Sequence, residues 1–236
     1  MIKRILALLL ALLLCLSLVA CKDDEPTPQD PPEEEETGGG NGGGDNGTPD
    51  APTVAFRGTV ENSTVTWKLM TSGELVIGGT GAMPDFATVS EGNDSRPWAE
   101  LVSYIKTLTV EEGVTGLGEY AFKNLNELSV AVLPASLGVL PYAAFENCTA
   151  LESVSGGVGL AEIDENAFLN CSSLATVSIS TPLAHVGYGA FSTGSSRTLT
   201  LHFTGSETEW QTTLAAMTVE GGNDAFANAT VTCFPR

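Results

Sequence analysis

The sequence predicts a strand-dominated α/β fold: a short solenoid of 23-residue repeats, closed at one end by a β-hairpin and at the other by an irregular cap. Three observations carry this. Ala-Phe pairs stand at Ala121-Phe122, Ala144-Phe145, Ala167-Phe168 and Ala190-Phe191, spaced 23 residues apart each time. Further apolar positions keep the same period. The flanking stretches lose it, as terminal repeats do, because an end coil must present a polar outer surface.

In chain order, Lys3 and Arg4 precede an apolar run from Ile5 to Ala20 broken only by Ser17. That run is marginally short for a membrane span of about 20 residues and fits the apolar region of a secretory signal peptide. It ends in Leu18-Val19-Ala20-Cys21, which resembles the lipobox of bacterial lipoprotein precursors. The resemblance implies that residues 1–20 are removed and that a lipid on Cys21 holds the chain to the membrane. An ordinary signal peptide with a chance cysteine is the alternative. Lys22-Asp23-Asp24-Glu25 looks like the acidic surface-export signals of some Gram-negative lipoproteins, so a surface-exposed outer-membrane lipoprotein of the cell envelope is expected.

Residues 21–52 read as the anchor and a disordered linker. Residues 22–52 hold six prolines, the run Gly38-Gly39-Gly40-Asn41-Gly42-Gly43-Gly44, ten acidic residues and one base, Lys22. With almost no apolar side chains, this stretch cannot offset the entropy of ordering. Its reach averages about 30 Å.

The rest is long enough for one domain with a real core. Setting aside Lys3, Arg4, Lys22 and the ten linker acids leaves seven basic and nineteen acidic residues, from totals of 10 and 29. That balance opposes nucleic acid and anionic lipid head groups. A monomer is expected.

Residues 53–104 read as the N-terminal β cap. Val65-x-Trp67-x-Leu69 and Leu75-x-Ile77 alternate about Thr71-Ser72-Gly73, as hairpin strands do. Residues 105–204 are the solenoid. Leu117, Leu140, Ile163 and Val186 precede each phenylalanine by five residues, and Val114, Leu137, Leu160 and Leu183 by eight. Leu128, Leu151 and Leu174 follow by six until Arg197 breaks the rule; Ala131, Val154 and Val177 follow by nine. Ile105 and Leu108 mark a partial coil before the first phenylalanine. Leu174-x-x-Val177-x-Ile179 alternates as a strand, and Glu165 to Cys171 reads as a bend carrying Phe168 inward. One coil cannot bury its apolar strip alone, so the coils stack. Toward the end of the solenoid the register fails, with Leu199, Leu201 and Phe203 about one residue late, and residues 205–236, with Trp210 and Gly221 to Ala225, read as a closing cap.

Gly113-Val114-Thr115-x-Leu117-Gly118-x-x-Ala121-Phe122 and Leu128-x-x-Ala131-x-Leu133-Pro134 resemble the BspA-like class of bacterial leucine-rich repeats, over roughly residues 105–204. Gly78 to Asp85 and Pro97-Trp98 resemble the N-terminal region found beside such repeats. The resemblance implies a leucine-rich-repeat solenoid on a surface protein engaged in adhesion or host contact. The implied partner is a host or envelope protein or glycan.

Little reads as chemistry. Gly78-Gly79-Thr80-Gly81 follows a strand but lacks the Lys-Ser/Thr pair and helix of a phosphate loop, so it is a turn. Cys148 and Cys171 occupy equivalent positions where the other repeats place Leu125 and Gly194, too few donors for a structural metal. They read as buried free thiols, with a disulfide left open in an exported protein; Cys233 reads as unpaired. His185 and His202 have no nucleophile in a recognisable motif. Glu111-Glu112 and Asp164-Glu165 fall at turns, where solvated charge is the default against paired-carboxylate chemistry. No catalytic residue, metal or cofactor is implied, and the chain is not expected to be an enzyme.

The strand face is more informative. Thr107, Thr109, Val130, Val132, Ser153, Ser155, Thr176 and Ser178 alternate with the core positions and point outward. Stacked, they form a ladder of small, mostly hydroxyl side chains and are the candidate binding face. Good strand propensity alone is the alternative account. A spacer or accessory lipoprotein with no ligand of its own is the second functional reading.

Overall fold

The computed structural model describes residues 51–86, 94–180 and 183–234. The expected signal peptide, Cys21 and the linker up to residue 50 lie outside the described residues.

The strands are β1 (Val54–Thr59), β2 (Val65–Met70), β3 (Glu74–Gly79), β4 (Gly81–Ala82), β5 (Thr107–Val110), β6 (Val114–Gly116), β7 (Val130–Leu133) and β8 (Val139–Leu140). They continue as β9 (Ser153–Gly156), β10 (Glu162–Ile163), β11 (Thr176–Ser180), β12 (His185–Val186), β13 (Thr200–Thr204), β14 (Thr218–Val219) and β15 (Thr230–Phe234). One sheet holds nine of them in the order β1-β2-β3-β5-β7-β9-β11-β13-β15. The pairs β1–β2 and β2–β3 are antiparallel, and every later neighbour is parallel. A parallel four-stranded sheet, β8-β10-β12-β14, takes the second strand of successive coils. The fold is a short solenoid with the β2–β3 hairpin at its head, and Gly73 turns that hairpin at a φ of 88°.

The period-two alternation aims Leu108, Ala131, Val154, Val177 and Leu201 inward in one register row. Opposite them, each Ala-Phe turn inserts its ring. Trp98, Phe122, Phe145, Phe168, Phe191 and Phe226 form one column with centroids 5.1–5.9 Å apart. Such pairs contribute about 0.5–1.5 kcal/mol beyond their buried area. Phe226 stands off the 23-residue register and was not expected in this column. It arrives there because a helix, Glu207–Ala216, lengthens the last coil.

That helix makes the C-terminal segment more regular than its sequence suggests. Ser206 and Glu209 form a reciprocal capping box, and Trp210 packs on Phe203 at 5.3 Å. A short helix, Asp224–Ala227, then carries Phe226, and β15 returns to the long sheet.

The turns stack through their backbones. Phe122, Phe145 and Phe168 donate their N–H groups to Ala144, Ala167 and Ala190 of the following coil at 2.8–2.9 Å. Asn124, Asn147 and Asn170 adopt φ values of 59–62°, which asparagine tolerates better than most residues. Their amides form a ladder: Asn147 Nδ2 donates to Asn124 Oδ1 and Asn170 Nδ2 to Asn147 Oδ1, each at 2.9 Å.

Candidate functional site

All eight candidate face residues lie on the outer side of the long sheet, and none of them is buried. One row runs unbroken in register: Glu74, Thr107, Val130, Ser153, Thr176, Thr200 and Thr230. Neighbouring strands stand about 4.8 Å apart, so these side chains form a regular comb. The second row joins Val76, Thr109, Val132 and Ser155. It is interrupted there, because β9 and β11 pair only at Ser153–Thr176 and Val154–Val177. Gly156, with φ 80°, turns β9 away, while β11 continues to Ser180. Ser178 instead aligns with His202 and Thr232. Val132, 40% exposed, is the most open apolar rung of the eight.

The structure extends this face beyond what the sequence suggested. The late register of Leu199, Leu201 and Phe203 shifts the outward positions to Thr200 and His202. The imidazole of His202 meets the ring of Phe234 edge-on at 5.4 Å, and Phe234 is 49% exposed. At the other end Thr109 Oγ1 donates to Glu74 Oε1 at 2.8 Å. The only signal for the extension was a one-residue slip in the apolar pattern.

The acidic pairs separate into different roles. Glu112 accepts from the backbone N–H groups of Ala135 (2.7 Å) and Ser136 (3.2 Å) on the next coil, and these bonds hold its carboxyl below the usual range. Glu111 pairs with Lys68 at 3.6 Å. Asp164 lies beside Glu162 and His185. Burial first, then the charge of Glu162, raises its carboxyl above the usual range, while His185 acts in the opposite direction. His185 Nε2 lies 3.1 Å from Glu220 Oε1. Glu162 and His185 stand one 23-residue repeat apart, the one sequence signal for this grouping, which a cysteine-based expectation of metal donors does not reach.

Cys148 and Cys171 are buried and free, and Cys233 is free and half-buried. Cys148 Sγ donates to the carbonyl of Phe122 and Cys171 Sγ to that of Phe145, at 3.0 and 3.1 Å. Burial pushes the Cys148 thiol up to about 12 and raises that of Cys171 well above its ordinary value. Both are therefore protonated donors and poor nucleophiles.

Two open depressions, of about 460 and 360 Å³, lie near the head hairpin and the last turn. Arg57, Lys68 and Glu111 line the first; Ser195, Arg197, Asp224 and Asn228 line the second. Neither is lined by His185 or His202, so no serine or threonine there has an imidazole base beside it.

Residues 101–214 match the family model of the BspA type leucine rich repeat region in six copies, more coils than the four Ala-Phe pairs mark. Among solved structures the chain is similar to a leucine-rich repeat protein from Eubacterium ventriosum, with 19% identity and a TM-score of 0.55 over 76% of this chain and 44% of that one. It is also similar to a leucine rich cell surface protein from Faecalibacterium prausnitzii, with 18% identity and a TM-score of 0.46 over 66% and 41% of the two chains. The chain thus spans less than half the length of either. At such identity the first likeness shows the fold. No curated protein matches the chain.

Proposed function

We propose that this chain, whose residues 101–214 are a BspA-type leucine-rich-repeat region, is a non-enzymatic interaction module displayed on a bacterial cell surface. Its lipid anchor is Cys21, its stalk the acidic Pro/Gly linker, and its binding face the outer side of the long sheet. The observation that carries this reading is the comb of uncharged side chains from Thr107 to Thr230, held in register by parallel strands. Being built on the stacked core, the comb needs little ordering to bind. Its hydroxyl groups suit a protein backbone or a glycan. Across a chain with a formal net charge of −19, an uncharged strip of this length stands apart.

The test uses glycan arrays and envelope- and host-protein arrays with the full chain, alongside a variant carrying Ser155→Lys and Ser178→Lys. Those changes set two bulky charges beside the comb, two residues along β9 and β11 from Ser153 and Thr176 on the same outer face, without touching the core. We expect the variant to melt like the parent and to lose about tenfold or more in affinity for any captured partner, about 1.4 kcal/mol. Salt dependence should be shallow, because the comb is uncharged. Undiminished binding by a folded variant would remove the comb as the site. Steep salt dependence would instead indicate the acidic turns at Glu111 and Asp164. Cys21→Ala should release the protein or stall its processing; a variant still lipid-labelled and membrane-bound would sink the anchor assignment.

A further inference from the structure

On the short sheet, away from the comb, Glu162 and His185 are register partners in the parallel pair β10–β12. Asp164 follows two residues after Glu162. One donor atom from each of Glu162, Asp164 and His185 lies within 4.8 Å of the other two. We propose that these three residues, with Glu220 as a fourth donor, form a site for a divalent transition-metal ion of the zinc type.

Placement, chemistry and charge agree. The backbone holds the set: Asp164 N donates to Leu140 O at 2.9 Å, Gly187 N to Ile163 O at 2.8 Å, and Glu220 N to Val186 O at 2.9 Å. Gly187 lets the coils approach this closely, since a Cβ there would come within 2.7 Å of Glu165 N and 2.9 Å of the Asp164 carbonyl carbon. Neighbouring ligands of a tetrahedral zinc stand about 3.4 Å apart, so small side-chain rotations bring the three donors together. The 3.1 Å between His185 Nε2 and Glu220 Oε1 is a separation that two ligands of one ion also adopt.

The imidazole distinguishes this set from ordinary surface carboxylates. Oxygen donors alone suit magnesium or calcium, whereas an imidazole among carboxylates favours zinc, nickel or copper. The local negative charge also lacks a lysine or arginine counterion: among the described residues, none of Glu162, Asp164, Glu165 and Glu220 is ion-paired with either. Glu119 adds to the excess; burial first, then the charges of Asp85 and Asp164, raises its carboxyl above the usual range. An ion here would tie β10, β12 and the residue after β14 together, clamping the long final coil to the array.

The test is titration calorimetry and thermal melting of the full chain with zinc, magnesium and calcium chlorides. Cys233→Ser serves as the reference for binding through the half-buried thiol. We expect one zinc per chain, unaffected by Cys233→Ser, at least about tenfold tighter than magnesium or calcium. The melting temperature should rise as the site fills. His185→Ala and Asp164→Asn, at half-buried surface positions, should each weaken zinc about tenfold or more without lowering the metal-free melting temperature. Undiminished zinc binding in both variants would overturn the proposal. So would calcium or magnesium binding as tightly as zinc and insensitive to His185→Ala, or no binding at all.

Discussion

The two ends of the turn ladder leave opposite backbone groups unmet, and the chain closes them with opposite chemistry. Along the array each turn donates N–H groups forward to carbonyls of the next coil. The first turn therefore has carbonyls, Ala121 and Lys123, with no coil behind them. The last has an N–H, Phe191, with no Ala-Phe turn ahead of it. At the head, donor-only groups arrive: Arg96 Nη1 reaches Lys123 O at 2.6 Å and Ala121 O at 3.3 Å, and Trp98 Nε1 reaches Ala121 O at 3.2 Å. At the tail an acceptor arrives, Asn223 Oδ1, 2.8 Å from Phe191 N. The same amide donates through Nδ2 to Gly187 O at 2.8 Å and Glu220 O at 2.9 Å. The polarity of the ladder thus selects the residue type at each end, because a buried backbone group without a partner costs about 1–3 kcal/mol.

The ends also differ in how heavily they are built. Trp98 touches three rings, those of Trp67, Phe86 and Phe122, whereas Phe226 closes the column against Phe191 alone. Trp98→Ala should therefore cost about 5 kcal/mol and Phe226→Ala about 3, the two ends of the range for such truncations. Phe168→Ala, inside the column, should fall between them. Urea denaturation measures all three, and equal losses for Trp98 and Phe226 would break the asymmetry.

Arg96→Ala comes next, at about 3–4 kcal/mol. The residue is 3% exposed and its guanidinium pairs with Asp94 at 2.6 Å, so its removal strands a carboxylate and the Lys123 carbonyl together, while Ala121 O keeps Trp98 Nε1. Burial alone would raise the Asp94 carboxyl; the hydrogen bonds and charge of Arg96 outweigh it and hold the group below the usual range. A depressed carboxylate contributes stability that is fully present above its unfolded value, about 3.9, and is lost as pH falls through the lower folded value. The parent should lose stability over that acid window more steeply than Arg96→Ala does. Parallel pH profiles would show that the pair is not coupled to folding.

These residues also mark how far the sequence could be read. The coils and their outward positions were legible because two periods, 23 along the chain and two along each strand, reinforce each other. Phe226 was hidden by distance, since 35 residues separate it from Phe191 and the inserted helix erases the period. The pattern Ser206-x-x-Glu209 was the available sign of that insertion. Arg96 was not legible at all, and Asn223 only as one residue of the closing segment Gly221 to Ala225. Each acts once, at an end, so no repetition marks it, and arginine in a polar stretch ordinarily faces water. Glu162 and His185 share a repeat position, but Glu220 reaches them only through the lengthened coil.

Asn223→Ala should cost about 2 kcal/mol, less than Arg96→Ala, because it strands neutral groups alone. If it costs as much, the charge at the head adds nothing beyond its hydrogen bonds.

The smallest effect expected is that of Ser206→Ala, about 1 kcal/mol, the usual cost of losing an N-cap. Ser206 Oγ accepts from Glu209 N at 3.3 Å, and Ser206 N donates to Glu209 Oε2 at 2.7 Å. All of this is exposed, so water replaces part of what the mutation removes. The helix it starts belongs to the lengthened last coil and touches the core chiefly through Trp210 on Phe203. Its loosening should stay local, since a stacked array couples each coil mainly to its neighbours. Hydrogen exchange should quicken over residues 206–217 and leave the amides of Phe122, Phe145 and Phe168 unchanged. Arg96→Ala should do the reverse, quickening exchange from the first turn inward while the helix keeps its protection. If Ser206→Ala also quickens exchange at Phe122, the two ends share one cooperative unit and their separate capping chemistries do not act independently.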